Sequence, residues 1–228
     1  MTQINFKPIF PSPLGYVNFG NANKELNKQL IEDMETEMLE HEGKQKTFKK
    51  NTCSWQSLEG QETLYNSFEI LRQKIEDVIK PILSHSGVSD NITPYIETRN
   101  LWGNIILDAG GYSRPHNHGS GNTLWGGVYY PKGITEEEDL DNFDETKHIL
   151  NGYGKGDGLL IMFDPSHGYK NQVETKLNSQ EFYGGEVSVV PRESLLILFP
   201  AWLIHMVTPL TKKEKRYSIS FDVNKPQM

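Results

Sequence analysis

The chain has 228 residues, of which 36% are hydrophobic and 11% aromatic, enough to close a core and unlike a disordered composition. A formal net charge of -7 and a pI near 5.5 argue against nonspecific binding to nucleic acid or to an anionic membrane, since both need a net basic face. The longest apolar run, near residues 194–207, is broken by Pro200, no basic-then-apolar leader is evident, and Cys53 is the lone cysteine; together these predict a cytoplasmic protein with no membrane span and no internal disulfide.

Residues 1–20 carry Ile4, Phe6, Ile9 and Phe10 and then Pro11 and Pro13, the pattern of a short strand, a turn and a second extended piece at 16–19. A helix is predicted over 23–41, where Leu26, Leu30, Met34 and Met38 recur every four residues, with Gly43 as its stop. Residues 44–60 read as a long loop, rich in lysine, with Cys53 as a small half-buried residue. A second helix is predicted over 61–80 from Leu64, Phe68, Leu71, Ile75, Val78 and Ile79, ended or kinked by Pro81. Neither helix gathers a ligand set, so both are expected to support a sheet.

From Pro94 the period changes to two. Eight strands are predicted, at 97–107, 112–118, 124–130, 159–163, 186–190, 195–199, 203–208 and 215–223, separated by Gly, Pro, Asn and Asp clusters. Helices in one half and strands in the other predict a mainly β fold, a jelly-roll barrel supported by N-terminal α-helices. One domain over 1–228 is expected, with 1–93 the N-terminal strand and helices and 94–223 the barrel core. Segments 133–157 and 165–184 read as insertions at the barrel mouth, the first of them acidic.

The chemistry concentrates at Gly-Gly-Tyr-Ser-Arg-Pro-His-Asn-His, residues 110–118. His116 and His118 stand two apart in a predicted strand, so both imidazoles can point to one spot. His205 is the candidate third ligand, and Arg216 follows it by eleven residues in an alternating run. Two near ligands, one distant ligand and a later arginine suit a non-haem iron site with an anionic cosubstrate. The plainer alternatives are solvent-bonded loop histidines, a backbone-bonded buried His205 and an ordinary turn charge at Arg216. His41, His85, His148 and His167 lack such spacing and are expected at the surface.

These residues resemble the 2-oxoglutarate- and iron(II)-dependent oxygenases, in particular the bacterial and phage group related to prolyl hydroxylases. The likeness rests on Gly110-Gly111, Pro115-His116-Asn117-His118, Gly126-Gly127-Val128-Tyr129-Tyr130 and Phe163-Asp164-Pro165. It continues in the stretch from Phe199-Pro200 through His205 to Pro209 and in Arg216-Tyr217-Ser218-Ile219-Ser220-Phe221. It covers roughly residues 95–223. It implies a double-stranded β-helix (cupin-like jelly roll), iron(II), 2-oxoglutarate, dioxygen and a small-molecule or peptidyl substrate of unread identity. It further implies His116, His118 and His205 as iron ligands, Arg216 and Ser218 on the distal carboxylate of 2-oxoglutarate, and Asn104 as a further cosubstrate contact. The usual triad has two histidines and a carboxylate; here His118 stands at the carboxylate position and Leu107 where many prolyl hydroxylases have tyrosine. Asp108 and Asp164 read as turn residues, and Trp102, Trp125, Tyr129 and Tyr130 as pocket lining or barrel packing. Two rivals stay open: a cupin-like metal-dependent dioxygenase or isomerase that uses no 2-oxoglutarate, and a non-catalytic jelly-roll binding module. Oligomeric state is not legible.

Overall fold

A computed structural model describes residues 12–41, 53–85, 97–119, 122–134, 139–152, 154, 156–165 and 185–224. The predicted strand at Ile4–Phe10, the stop at Gly43, most of the 165–184 insertion, the His85 side chain and His167 lie outside the described residues.

Two antiparallel sheets carry the fold. The first holds β1 (Gly15–Asn18), β2 (Ser54–Gln56), β3 (Glu97–Ile106), β5 (Thr123–Tyr130), β9 (Leu195–Pro200) and β11 (Arg216–Asn224), in the order β1-β9-β5-β11-β3-β2. The second holds β4 (Ser113–His116), β6 (Ile149–Asn151), β7 (Leu160–Phe163), β8 (Glu186–Val189) and β10 (His205–Val207), in the order β4-β10-β7-β8-β6. Helices α1 (Lys24–Glu40) and α2 (Asn66–His85) back the six-stranded sheet, and a four-residue α3 (Glu145–His148) precedes β6. No described helix is long and apolar enough to cross a membrane.

Alternation of side chains explains how one sheet serves two cores. On β9, Leu196 and Leu198 face the helices beside Leu30, Met34, Phe68, Leu71 and Ile75. Leu195, Ile197 and Phe199 face the other sheet beside Leu160, Met162 and Val189. Covered on both sides, β9 is apolar throughout and every one of its residues is buried.

The eight predicted strands are present, and three short ones join them. β1 lies where a second extended piece is predicted. β2 falls within the predicted loop 44–60, and β6 within the 133–157 insertion; both are three-residue edge strands, too short for a visible period. Other differences have local causes. Helix α2 continues through Pro81 to His85, because Pro81 itself is exposed while Ile79 and Leu83 on the flanking turns are buried. Leu64 precedes the helix in a tight turn and is 66% exposed, outside the predicted stripe. Cys53 is exposed rather than half-buried; it sits at φ 62°, and its carbonyl, not its thiol, is used, accepting from the Leu107 N–H at 2.8 Å. His148 is buried rather than at the surface, with its ring stacked on Phe143 at 5.5 Å.

Candidate metal centre

The inner face of β11 organises a cavity of about 630 Å3 between the sheets. Tyr217, Ile219, Phe221 and Val223 point to the helix-backed core. The alternate residues Arg216, Ser218, Ser220 and Asp222 line the cavity. β3 contributes Trp102 and Asn104, β5 contributes Val128 and Tyr130, and the five-stranded sheet closes the far wall with His116 and His205.

The three histidines meet because of strand register. His116 on β4 pairs directly with His205 on β10, so their side chains share a face and their rings lie 4.3 Å apart. His118 lies just past β4 rather than within it; its N–H donates to the Ala201 carbonyl at 2.8 Å, which turns the chain back over the cavity. Its ring is 5.1 Å from that of His205 and 5.7 Å from that of His116. Each residue offers one ring nitrogen, and these nitrogens lie within 4.8 Å of one another.

The other ring nitrogens are engaged. His116 Nδ1 bonds the Arg114 carbonyl at 2.7 Å, His205 Nδ1 the Leu203 carbonyl at 3.0 Å, and His118 Nδ1 the Asp222 carboxylate at 2.8 Å. All three acceptors are oxygens, so Nδ1 carries the proton and donates, and the Nε2 lone pairs are left to converge. Burial pushes the pKa of His205 down to about 3, and the neighbouring His116 and His118 add to this against the Leu203 carbonyl. Desolvation of the ring, with His118 adding, also lowers His116, although part of that residue is exposed at the mouth. Neutral imidazole is the form that binds a metal. The His118 ring fits because residue 126 is glycine: a Cβ there would lie 3.1 Å from His118 Nδ1 and 3.1 Å from Phe199 Cε2.

Deeper in the same cavity Arg216 is 5% exposed. Its Nε donates to the Gly158 carbonyl at 2.8 Å, its Nη1 donates to Ser218 Oγ at 3.0 Å, and its guanidinium lies 5.3 Å from the Tyr130 ring. Burial lowers its pKa, partly offset by Tyr130. No carboxylate pairs with it among the described residues. Beside it the buried Tyr130 hydroxyl has no hydrogen-bond partner among the described residues, and burial pushes its pKa up to about 12. A buried cation and an orphaned buried hydroxyl in one cavity match a ligand carboxylate, which would accept from both. The donor set thus fits a divalent metal bound by imidazole at one end and a carboxylate-bearing cosubstrate at the other.

Of the predicted site residues, His116, His118, His205, Arg216, Ser218 and Asn104 all line this cavity. Asn104 stands opposite Ser218 in register and donates to Ser220 Oγ at 3.1 Å. Trp102 lines the cavity, whereas Trp125 and Tyr129 pack in the helix-backed core. Arg114 is exposed at the rim. Leu107 is 36% exposed and off the cavity wall; Tyr112 and Tyr130 are the tyrosines that line it. Asp108 closes the turn before Gly111, its carbonyl accepting from the Gly111 N–H, and Asp164 follows β7 and is not part of the histidine cluster. Sequence reasoning missed Asp222 as a partner of His118. Continuing the two-residue step from Arg216 and Ser218 through Ser220 would have put it on the same face.

The geometry agrees with comparisons to known proteins. A sequence profile described as "Putative 2OG-Fe(II) oxygenase" matches residues 100–222, more than half of the chain. A search of curated proteins finds no match. Among solved structures, a prolyl-4-hydroxylase from Pseudomonas putida superposes with a TM-score of 0.57 at 12% identity, covering 94% of this chain and 93% of that one. HygX from Streptomyces hygroscopicus, solved with nickel and 2-oxoglutarate bound, gives a TM-score of 0.58 at 11% identity, covering 94% of this chain and 83% of that one. A Trichoplax adhaerens prolyl hydroxylase, solved with a hypoxia inducible factor peptide fragment, gives 0.54 at 13% identity, covering 93% and 83%. At these identities the superpositions establish the shared double-stranded β-helix, and with the sequence profile the conclusion follows that this chain belongs to the 2OG-Fe(II) oxygenase family.

Proposed function

We propose that the protein is a non-haem iron(II), 2-oxoglutarate-dependent dioxygenase that hydroxylates a small-molecule or peptidyl substrate. The observation that carries this reading is the convergence of three imidazole nitrogens within 4.8 Å, each ring held at its other nitrogen by an oxygen acceptor. His116, His118 and His205 would hold the iron. Arg216 would take the distal carboxylate of 2-oxoglutarate, with Tyr130 and Ser218 adding hydroxyl bonds and Asn104 lining the path between. Guanidinium suits that task because its planar fork matches a planar carboxylate. When bound, the metal and 2-oxoglutarate would supply the oxidising equivalents for hydroxylation, one atom of dioxygen leaving in succinate as carbon dioxide is released and the other ending in a substrate C–H bond.

The chain's own residues bind, orient and exclude water. Ile106, Val128, Leu160 and Phe199 give the cavity an apolar wall, which strengthens the Arg216–carboxylate interaction by lowering the local dielectric. Gln56, Glu59, Trp102 and Arg114 also line the cavity and would be available to contact a substrate. Three histidines without a carboxylate ligand also favour the rival reading, a cupin-like site that uses no 2-oxoglutarate.

One experiment separates the two. Protein purified without oxygen is titrated with iron(II) and then 2-oxoglutarate, and succinate formation is followed. Iron-dependent succinate release, abolished in His116→Ala and reduced at least tenfold in kcat/KM for 2-oxoglutarate in Arg216→Ala, is the expected result. Iron uptake with no effect of 2-oxoglutarate on either protein would support the cupin-like reading instead.

A further inference from the structure

Of the three histidines, His118 alone hydrogen-bonds to a charged group. His116 and His205 donate to backbone carbonyls, whereas His118 donates to the carboxylate of Asp222, 104 residues away in sequence, at 2.8 Å. The pair is sheltered: the His118 side chain is 9% exposed and that of Asp222 is 17% exposed. The surroundings fix it from several sides. Asp222 pairs in register with Gly126, and the absence of a side chain at residue 126 leaves room for the His118 ring above it. Trp102 lies tilted against that ring at 5.8 Å, and Phe199 meets it edge-on at 6.1 Å. The remaining cavity-facing residues of β11 are neutral serines and Arg216, so Asp222 is that face's one acid.

We propose that Asp222 is a positioning residue of the metal centre: it locks His118 in the Nδ1–H tautomer with Nε2 aimed at the ion, and supplies from one hydrogen bond away the negative charge that a ligating carboxylate would supply directly. The inference rests on the metal-site reading above. Its physical basis is that a carboxylate accepting from Nδ1–H raises electron density on Nε2 and offsets part of the charge of the cation. A site of three neutral imidazoles is one unit more positive than one with a carboxylate ligand. Asp222 returns that unit without occupying a coordination position. It would leave the same number of positions open for cosubstrate and oxygen.

The test uses cobalt(II), which is air-stable and has a visible spectrum sensitive to its ligands. Wild type, Asp222→Asn, Asp222→Ala and His116→Ala are titrated with cobalt(II), and far-UV circular dichroism and thermal midpoints are recorded. Asn keeps the shape and an acceptor oxygen but removes the charge, so it separates the electrostatic role from a structural one. Removing an outer-shell partner of a metal-ligating histidine weakens metal binding by roughly 10- to 100-fold; Asp222→Asn is expected near the lower end and Asp222→Ala near the upper. In water, cobalt-loaded wild type should show three exchangeable, strongly shifted proton resonances, one for each Nδ1–H, and only one of them should move or vanish in the Asp222 variants. If Asp222→Ala proves too unstable to load, Asp222→Asn alone decides. Unchanged cobalt affinity and three unchanged resonances in Asp222→Asn would overturn the proposal and leave the metal centre standing. No cobalt uptake by wild type above the His116→Ala control would overturn both.

Discussion

Two glycines decide whether the site's charged and coordinating side chains have space, and Gly158 gives the sharper test. Its φ is +61°, and its carbonyl accepts from Arg216 Nε at 2.8 Å. A Cβ at residue 158 would stand 2.9 Å from Arg216 Cδ and 2.8 Å from Leu210 Cδ2, so alanine brings both backbone strain and a collision with the guanidinium stem. Gly60 separates the two effects, since it is also left-handed, at φ 87°, but a Cβ there meets nothing within 4 Å. The left-handed conformation costs a non-glycine residue about 1–2 kcal/mol. Gly60→Ala is therefore expected to lose about that much stability and leave 2-oxoglutarate binding unchanged. Gly158→Ala should lose more, by about 1–3 kcal/mol of overpacking, and also weaken 2-oxoglutarate binding because Arg216 is displaced. Chemical denaturation and cosubstrate titration of the two variants check this; equal losses in both would mean that Arg216 tolerates the shift.

At the scale of elements, the helices owe their place to one face of the six-stranded sheet, and Glu35 ties them to it. From α1 it accepts from Lys215 Nζ at 2.7 Å and from the Tyr217 hydroxyl at 2.5 Å. Burial pushes the Glu35 pKa up, but the Lys215 and Tyr217 hydrogen bonds outweigh it and leave the carboxyl below its ordinary value. A depressed folded-state pKa means that the tie is fully present above the unfolded value, about 4.3, and is lost as pH falls through the folded one. Glu35→Gln should cost about 0.5–1.5 kcal/mol at neutral pH, and the gap from wild type should close on acidification below about pH 4. A gap independent of pH would assign the loss to shape alone. These elements also set how far the sequence could be read. Long periodic segments were legible: the Leu30 and Met34 stripe, and the strict alternation from Arg216 to Val223. Three-residue edge strands such as Ser54–Gln56 and Ile149–Asn151 were not, because pairing with an already formed neighbour, rather than their own pattern, makes them strands. Pro81 misled for a related reason: tertiary burial of Ile79 and Leu83 outweighs one missing helical hydrogen bond. His148 could not be placed because its burial depends on the ring of Phe143 and on α3, a helix of four residues. The histidine triad was legible through the His-x-His spacing, but the direct pairing of His116 with His205 is a register that only the folded sheet reveals.

For the molecule as a whole, the barrel places three imidazoles and a buried guanidinium in one cavity, an arrangement costly to keep without ligands. Desolvating an unpaired charge costs several kcal/mol, and Arg216 pairs with no carboxylate among the described residues. A metal and a dicarboxylate that bind only the folded chain should therefore stabilise it in a defined order. Each ligand at a hundred times its dissociation constant adds about 2.7 kcal/mol. For a chain of this size that corresponds to a rise of about 5–10 °C in thermal midpoint. Cobalt(II) alone should raise the midpoint of wild type and of Arg216→Ala alike, since the Arg216 guanidinium bonds to Gly158 and Ser218 rather than to a histidine. Adding 2-oxoglutarate should raise it again only where both the metal and Arg216 are present, because in the proposed function one end of the cosubstrate sits on the ion and the other on the guanidinium. His116→Ala should lose both increments, and removal of metal by a chelator should cancel the second with the first. A 2-oxoglutarate increment that survives chelation would mean that the anion is held by Arg216 and Tyr130 alone, and that metal and cosubstrate act as independent ligands.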